Sequence, residues 1–229
     1  MLAADEIARR LEAVRERIAR AAARSSRSTD TIRLVLASKT QPPEAVRAAY
    51  QAGARDFGEN YIREGASKRE ALADLSHVTW HLIGHLQSNK TRLATRTFEI
   101  IQTVDSARLA DAIAHALPTP PMRVLIEVNL GGEPGKSGVG AGDVESLIDA
   151  SRAKVEILGL MTIPPRAETA TGARNYFAKL RRLRDRLAAT TGLALSELSM
   201  GMTEDFEVAI EEGATMVRIG RAVFGERPE

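Results

Sequence analysis

Cysteine is absent from the 229 residues. With it go disulfides, thiolate nucleophiles and cysteine-ligated metals, and a reducing cytoplasm is the compartment implied. Aromatic residues are scarce, at 4%, and no basic block is interleaved with them, so the signature of a nucleic-acid surface is missing. No apolar stretch approaches the ~20 residues that a membrane span needs. The first 24 residues carry acids and arginines throughout, so the expectation is an unexported chain with no membrane partner. Lysine is rare as well: six of the 32 basic residues, the rest being arginine. Formal charge is +2 with a pI near 9.1. The arginines stand beside acids, as in Arg15-Glu16-Arg17, which reads as a solvated helix face.

What is present is a core. Hydrophobic residues make up 44% of the chain, enough for one large α/β domain. Ile7, Leu11, Val14 and Ile18 recur at helical spacing and predict an amphipathic helix over 4–24. Runs rich in β-branched and aliphatic residues then appear near 32–38, 54–57, 78–83, 99–103, 123–129, 155–161, 195–199 and 215–219, each followed by a helical pattern. Eight βα units predict a single-domain (β/α)8 TIM barrel over 1–229 with an extra N-terminal helix. A doubly wound sheet would more often place a glycine fingerprint after its first strand, where this chain has Ser38-Lys39-Thr40-Gln41-Pro42-Pro43.

Lys39 ends the first apolar run, at the strand end where a barrel keeps its chemistry. Strand parity puts Lys39 with Ala37 and Val35 on one face, and Ser38, Leu36, Leu34 and Ile32 on the other. The bulkier face belongs under the helices, so Lys39 points inward unless it simply reaches water. A desolvated primary amine condenses reversibly with an aldehyde, which a guanidinium does not do. In the last strand Met216 and Arg218 share the inward face. Arg218 there needs a carboxylate or a ligand; Glu127 is the competing acid and the ligand is favoured.

The loops after the last two strands are the usual phosphate cradle of this fold. Ser199-Met200-Gly201-Met202-Thr203 leads toward a helix expected from about Glu204, and Gly220-Arg221 follows the final strand. Glu204 and Asp205 suit the first helical turn but would repel phosphate if they faced it. Leu130 to Ser137 resembles a nucleotide-binding loop only superficially, since Leu130 replaces its first glycine and Pro134 removes a donor. His81 and His85 flank Ile83-Gly84 with no further ligand at recognisable spacing, so no metal site is expected.

Taken together, Ala37-Ser-Lys39-Thr, Phe57-Gly-Glu-Asn60-Tyr61, Trp80 to Lys90, Lys136-Ser-Gly138, Gly159 to Pro164, Ser199-Met-Gly-Met202 and Val217-Arg-Ile-Gly220 resemble the pyridoxal phosphate homeostasis protein family. The resemblance implies the barrel of the alanine racemase N-terminal domain. It also implies that Lys39 holds pyridoxal 5'-phosphate (PLP) as a Schiff base, that Asn60 lines the pocket and that Arg218 lies near the pyridine nitrogen. Ser199, Gly201 and Gly220 are implied at the phosphate. Position 221, often a small hydroxyl residue in relatives, is Arg221, through its side chain or through its backbone alone. An arginine opposite the ring nitrogen makes the ring a poor electron sink. The racemases add a second domain and a tyrosine base, whereas Tyr50, Tyr61 and Tyr176 all fall within the barrel.

The expectation is therefore a non-enzymatic PLP carrier in intracellular PLP homeostasis, whose partners are PLP and PLP-accepting enzymes, with a monomer favoured. The alternative is a PLP-dependent amino-acid racemase or lyase. A third reading is a barrel for another phosphorylated metabolite, without an aldehyde.

Overall fold

Alternating apolar runs become parallel strands because each is short, flanked by polar turns and followed by a helix that covers its outward face. The computed structural model describes residues 2–117, 119–133, 135–165 and 169–226. Its strands are β1 (Arg33–Ala37), β2 (Asp56–Glu59), β3 (Thr79–Leu82), β4 (Ile100–Val104), β5 (Arg123–Asn129), β6 (Val139–Gly140), β7 (Glu156–Met161), β8 (Glu197–Ser199) and β9 (Met216–Ile219). The helices are α1 (Ala4–Arg24), α2 (Pro43–Gln51), α3 (Ile62–Ala71), α4 (Thr91–Thr97), α5 (Ala107–Ala116), α6 (Val144–Ser151), α7 (Ala170–Thr191), α8 (Phe206–Glu211) and α9 (Arg221–Phe224).

The sheet runs β4-β3-β2-β1-β9-β8-β7-β5 and closes through β4–β5, so eight parallel strands form the predicted TIM barrel. The short β6 is the departure from expectation: among the described residues it pairs only with the end of β5, Val128 with Val139 and Asn129 with Gly140. The register sets Val35 level with Arg218 and Ala37 level with Gly58.

Side-chain period two sorts the strands into two cores. Leu36, Phe57, Val124, Leu198, Val217 and Ile219 pack outward beneath the helices. Val35, Leu125, Met161 and Met216 fill the barrel interior. Val35 inside and Leu36 outside is the parity read from the sequence.

α1 packs against α2, α8 and α9 outside the ring. Ile7, Leu11, Val14 and Ile18 are all buried, and Asp5 and Glu6 in the first turn with Arg24 in the last suit the helix dipole. Arg17 clamps Glu207 at 2.8 Å and stacks on the Phe206 ring at 4.5 Å, while Arg24 pairs with Glu211. A cavity of about 550 Å³ separates α1 from the start of β1 and β2, lined by Leu11, Arg15, Arg33 and Asp56 among others.

Leu11 has no exposed area, so Leu11→Ala is expected to lower unfolding free energy by roughly 2–5 kcal/mol in a urea titration. Ala13→Gln on the solvent face should change it by no more than about 0.5 kcal/mol.

Candidate functional site

β1 ends at Ala37, and Ser38, Lys39 and Thr40 turn the chain toward α2. Lys39 is half-buried in that turn, just beyond the C-terminal end of its strand. Gln41 N–H donates to Ser38 O at 3.0 Å to close the turn, and Thr40 adopts the left-handed φ of +64°. Ser38 lies on the outward face as parity requires; it is buried and donates to Glu59 Oε1 at 2.6 Å.

Across the mouth, Arg218 is sealed into the interior at 4% exposure. Burial lowers its guanidinium to about 10, against the pull of Glu127 and Asp205, so it stays charged near neutral pH. Nη2 donates to Thr162 O at 2.9 Å and Nη1 to Ser199 Oγ at 2.6 Å. Ser199 in turn donates to Gln102 Oε1 at 2.6 Å. The Gln102 amide meets His81 Nδ1 at 3.0 Å, and His81 Nε2 meets Asp56 Oδ1 at 3.0 Å. Since an amide nitrogen only donates, His81 Nδ1 accepts and its Nε2–H donates to Asp56. Burial pushes His81 below the ordinary imidazole range, which suits this neutral tautomer. Every donor along the relay therefore points from the cation toward the Asp56 carboxylate.

Above this relay lie buried acceptors with nothing to accept. Asn60 Oδ1, Glu127 Oε2 and Asn129 Oδ1 have no hydrogen-bond partner among the described residues. A buried polar atom left so is costly unless a ligand or water completes it. Burial raises Glu127 to about 7, reinforced by Asp105 and opposed by Arg218 and Lys136. No ion pair joins Glu127 to Arg218 among the described residues, so the competing acid does not saturate the guanidinium. Gly84 presses on Asn60 from β3's end: a Cβ there would stand 2.3 Å from Asn60 O.

Of the two expected phosphate loops, the first is closed by Asp205, whose Oδ1 accepts from Met202 N–H at 2.7 Å. This turn delays the helix to Phe206 rather than Glu204. Gly201 has φ +93°, and a Cβ on it would lie 2.6 Å from Ala209 Cβ, so glycine is required there. Its carbonyl accepts from Arg218 N–H at 3.0 Å, coupling the loop to β9. Ser199 is in place at the strand end, but its hydroxyl is engaged by the interior relay. Gly220, at the end of β9, sits against Ala37 two residues before Lys39, with Ala37 O 3.0 Å from where its Cβ would be. The Arg221 side chain turns outward to Glu204 at 2.8 Å, both being exposed.

The remaining motifs disperse. His81 belongs to the relay, whereas His85 is exposed with Asp105 at 3.8 Å. Among the described residues no group of three metal-type ligands gathers, and no helix is long and apolar enough to cross a membrane. In the Leu130–Ser137 loop Lys136 pairs with Glu133 at 2.7 Å; Pro134 lies outside the described residues. Sequence reading singled out neither Gln102 and Asp56 of the relay nor Asn129. The signal for Gln102 and Asn129 was available: both are polar residues on inward parity within apolar strands.

Residues 10–228 match the family of the alanine racemase N-terminal domain. The pyridoxal phosphate homeostasis protein of Aquifex aeolicus is 47% identical over 222 residues, covering 95% of this chain and 97% of that one. Its namesake from Escherichia coli strain K12 is 39% identical, with 97% of each chain covered. Among solved structures, PipY of Synechococcus elongatus with PLP bound superposes with a TM-score of 0.85 at 36% identity, over 96% of this chain and 100% of that one. Alanine racemase from Corynebacterium glutamicum, at 19% identity and a TM-score of 0.73, shares the fold over 97% of this chain and 62% of its own. On the match over nearly its whole length and on these relatives, the chain belongs to the alanine racemase N-terminal domain family, among the pyridoxal phosphate homeostasis proteins.

Proposed function

We propose that this protein holds PLP reversibly on Lys39 and releases it to PLP-accepting enzymes, serving intracellular PLP homeostasis in the cytoplasm without turning over a substrate. The observation that carries the reading is a half-buried lysine turn, an inward guanidinium that makes no ion pair among the described residues, and three buried acceptors without partners among the described residues. The relatives named for PLP homeostasis, and the relative solved with PLP, supply the ligand's identity.

PLP brings an aldehyde that a lysine amine takes up with loss of one water, and water or another amine reverses the step. In this chain Lys39 would provide the amine, Asn60 a polar wall and Arg218 a cation for the ring nitrogen. Gly201 and Gly220 let backbone N–H groups approach the phosphate. Ser199 contributes by orienting Arg218, and Arg221 through its backbone, its exposed side chain lying against Glu204. A cation at the ring nitrogen disfavours ring protonation and so weakens electron withdrawal. The tyrosines support a holding role: Tyr50 of α2 donates to Ser76 O, Tyr176 lies on α7, and Tyr61 is 63% exposed.

Lys39→Ala is expected to abolish borohydride-trappable attachment of PLP, followed by absorption and peptide mapping. Trapping at an unchanged site in the variant, or sustained racemisation or keto-acid release from amino acids by the native protein, would overturn the reading. For Arg221→Ala, PLP affinity and its salt dependence should stay within about twofold, since an exposed ion pair contributes little; a tenfold fall would place the side chain on the phosphate.

Glu127 gives the PLP-free protein a pH signature. A carboxyl whose folded value, about 7, exceeds its usual 4.5 adds stability below the unfolded pKa and loses it as pH rises through the folded one. Relative to Glu127→Gln, the native protein should lose roughly 3 kcal/mol between about pH 4.5 and 7 and then level off. Parallel stability curves across that window would show that Glu127 is not so perturbed.

A further inference from the structure

Outside the strands, directly behind the Lys39 turn, is a second buried lysine. Lys68 of α3 is 4% exposed. Its Nζ donates to Ser38 O at 2.6 Å, Glu59 Oε1 at 2.7 Å and Glu64 Oε1 at 2.7 Å. Glu59 has no exposed area, and its Oε1 also accepts from Ser38 Oγ at 2.6 Å. Glu64 Oε1 also accepts from Thr40 N–H at 2.5 Å. Outside the trio, these bonds end on Ser38 and Thr40, the two neighbours of Lys39.

A buried ion pair of this kind is a poor device for stability, since well-packed apolar residues of equal volume usually do as well or better. Glu59 Oε2 lacks a partner among the described residues, and burial raises its carboxyl, so the network is held at a cost. What it supplies is position. Thr40 occupies a left-handed conformation that β-branched residues seldom adopt, and a turn so strained persists only where its surroundings over-determine it. Lys68 and Glu59 fix the residue before Lys39 and Glu64 fixes the residue after it, from the helix side of the sheet.

We propose that Lys68, Glu59 and Glu64 are positioning residues for Lys39, a clamp that presets the turn so that its amine meets an aldehyde at the mouth. The inference rests on the assignment of Lys39 above. All three donors of Lys68 are taken up by acceptors, so its part is to hold the turn.

Glu64, partly exposed at its side chain, tolerates truncation better than the buried pair and so gives the decisive test. The rate of PLP attachment at Lys39 is measured by absorption, with borohydride trapping and peptide mapping. Binding of pyridoxamine 5'-phosphate, which keeps ring and phosphate but has no aldehyde, is measured by calorimetry. Glu64→Ala is expected to slow attachment by about tenfold while pyridoxamine 5'-phosphate affinity stays within about twofold. Glu64→Gln, whose amide oxygen still accepts from Thr40, should recover most of the rate. Lys68→Met, where circular dichroism shows it folded, should give the same split with a larger loss. Unchanged attachment in folded Glu64→Ala, or equal losses for both ligands, would overturn the clamp. If native protein attaches PLP at another lysine, the functional reading fails, and the clamp with it.

Discussion

A guanidinium enclosed by eight strands dictates what the inside of this barrel must be. Arg218 keeps its charge in a place where water is excluded, so each N–H needs an acceptor and the charge needs a distant counterpart. The interior answers with Thr162 O, Ser199, Gln102, His81 and finally Asp56, drawn from β2, β3, β4, β8 and the segment after β7. Aliphatic residues then fill what is left, in the small cluster around Val35 and Met216. The polar layer determines which strands carry polar inward residues, and the apolar layer adapts to it.

A second network lies on the other side of the same sheet. Inside, the relay orients Arg218; outside, Lys68 and two glutamates hold Ser38 and Thr40. β1 and β9 are paired neighbours, with Val35 level with Arg218 and Ala37 against Gly220. Errors in the lysine turn and in the arginine are therefore not independent, since both are referred to the same two strand ends. That rigidity contrasts with the mouth, whose open acceptors on Asn60, Glu127 and Asn129 are completed only by something added.

The barrel, the inward parity of Val35 on β1 and the burial of Arg218 were legible because strand parity needs only the local pattern. β6 was not, because two residues beyond a glycine-rich loop make no periodic signal. Ser199 was read correctly as a strand-end residue, but its hydroxyl reaches Gln102, 97 positions away, and no local spacing reveals such a partner. Lys68 carries no local signal, since what buries it is a carbonyl just after β1 and a carboxylate of β2. The start of α8 shifted because Asp205 closes a turn with its side chain before the helix begins.

The ion pairs of the outer shell, Arg17 to Glu207, Arg24 to Glu211, Arg47 to Asp74 and Arg174 to Glu211 and Glu212, are built with guanidinium. Of the few lysines elsewhere, Lys136 and Lys154 are tied to carboxylates. A guanidinium does not form a stable imine under conditions where an amine does. The exterior thereby carries its positive charge mostly in a form chemically quiet toward carbonyl compounds, so an aldehyde reaching this protein finds few places to stray before it arrives at the mouth.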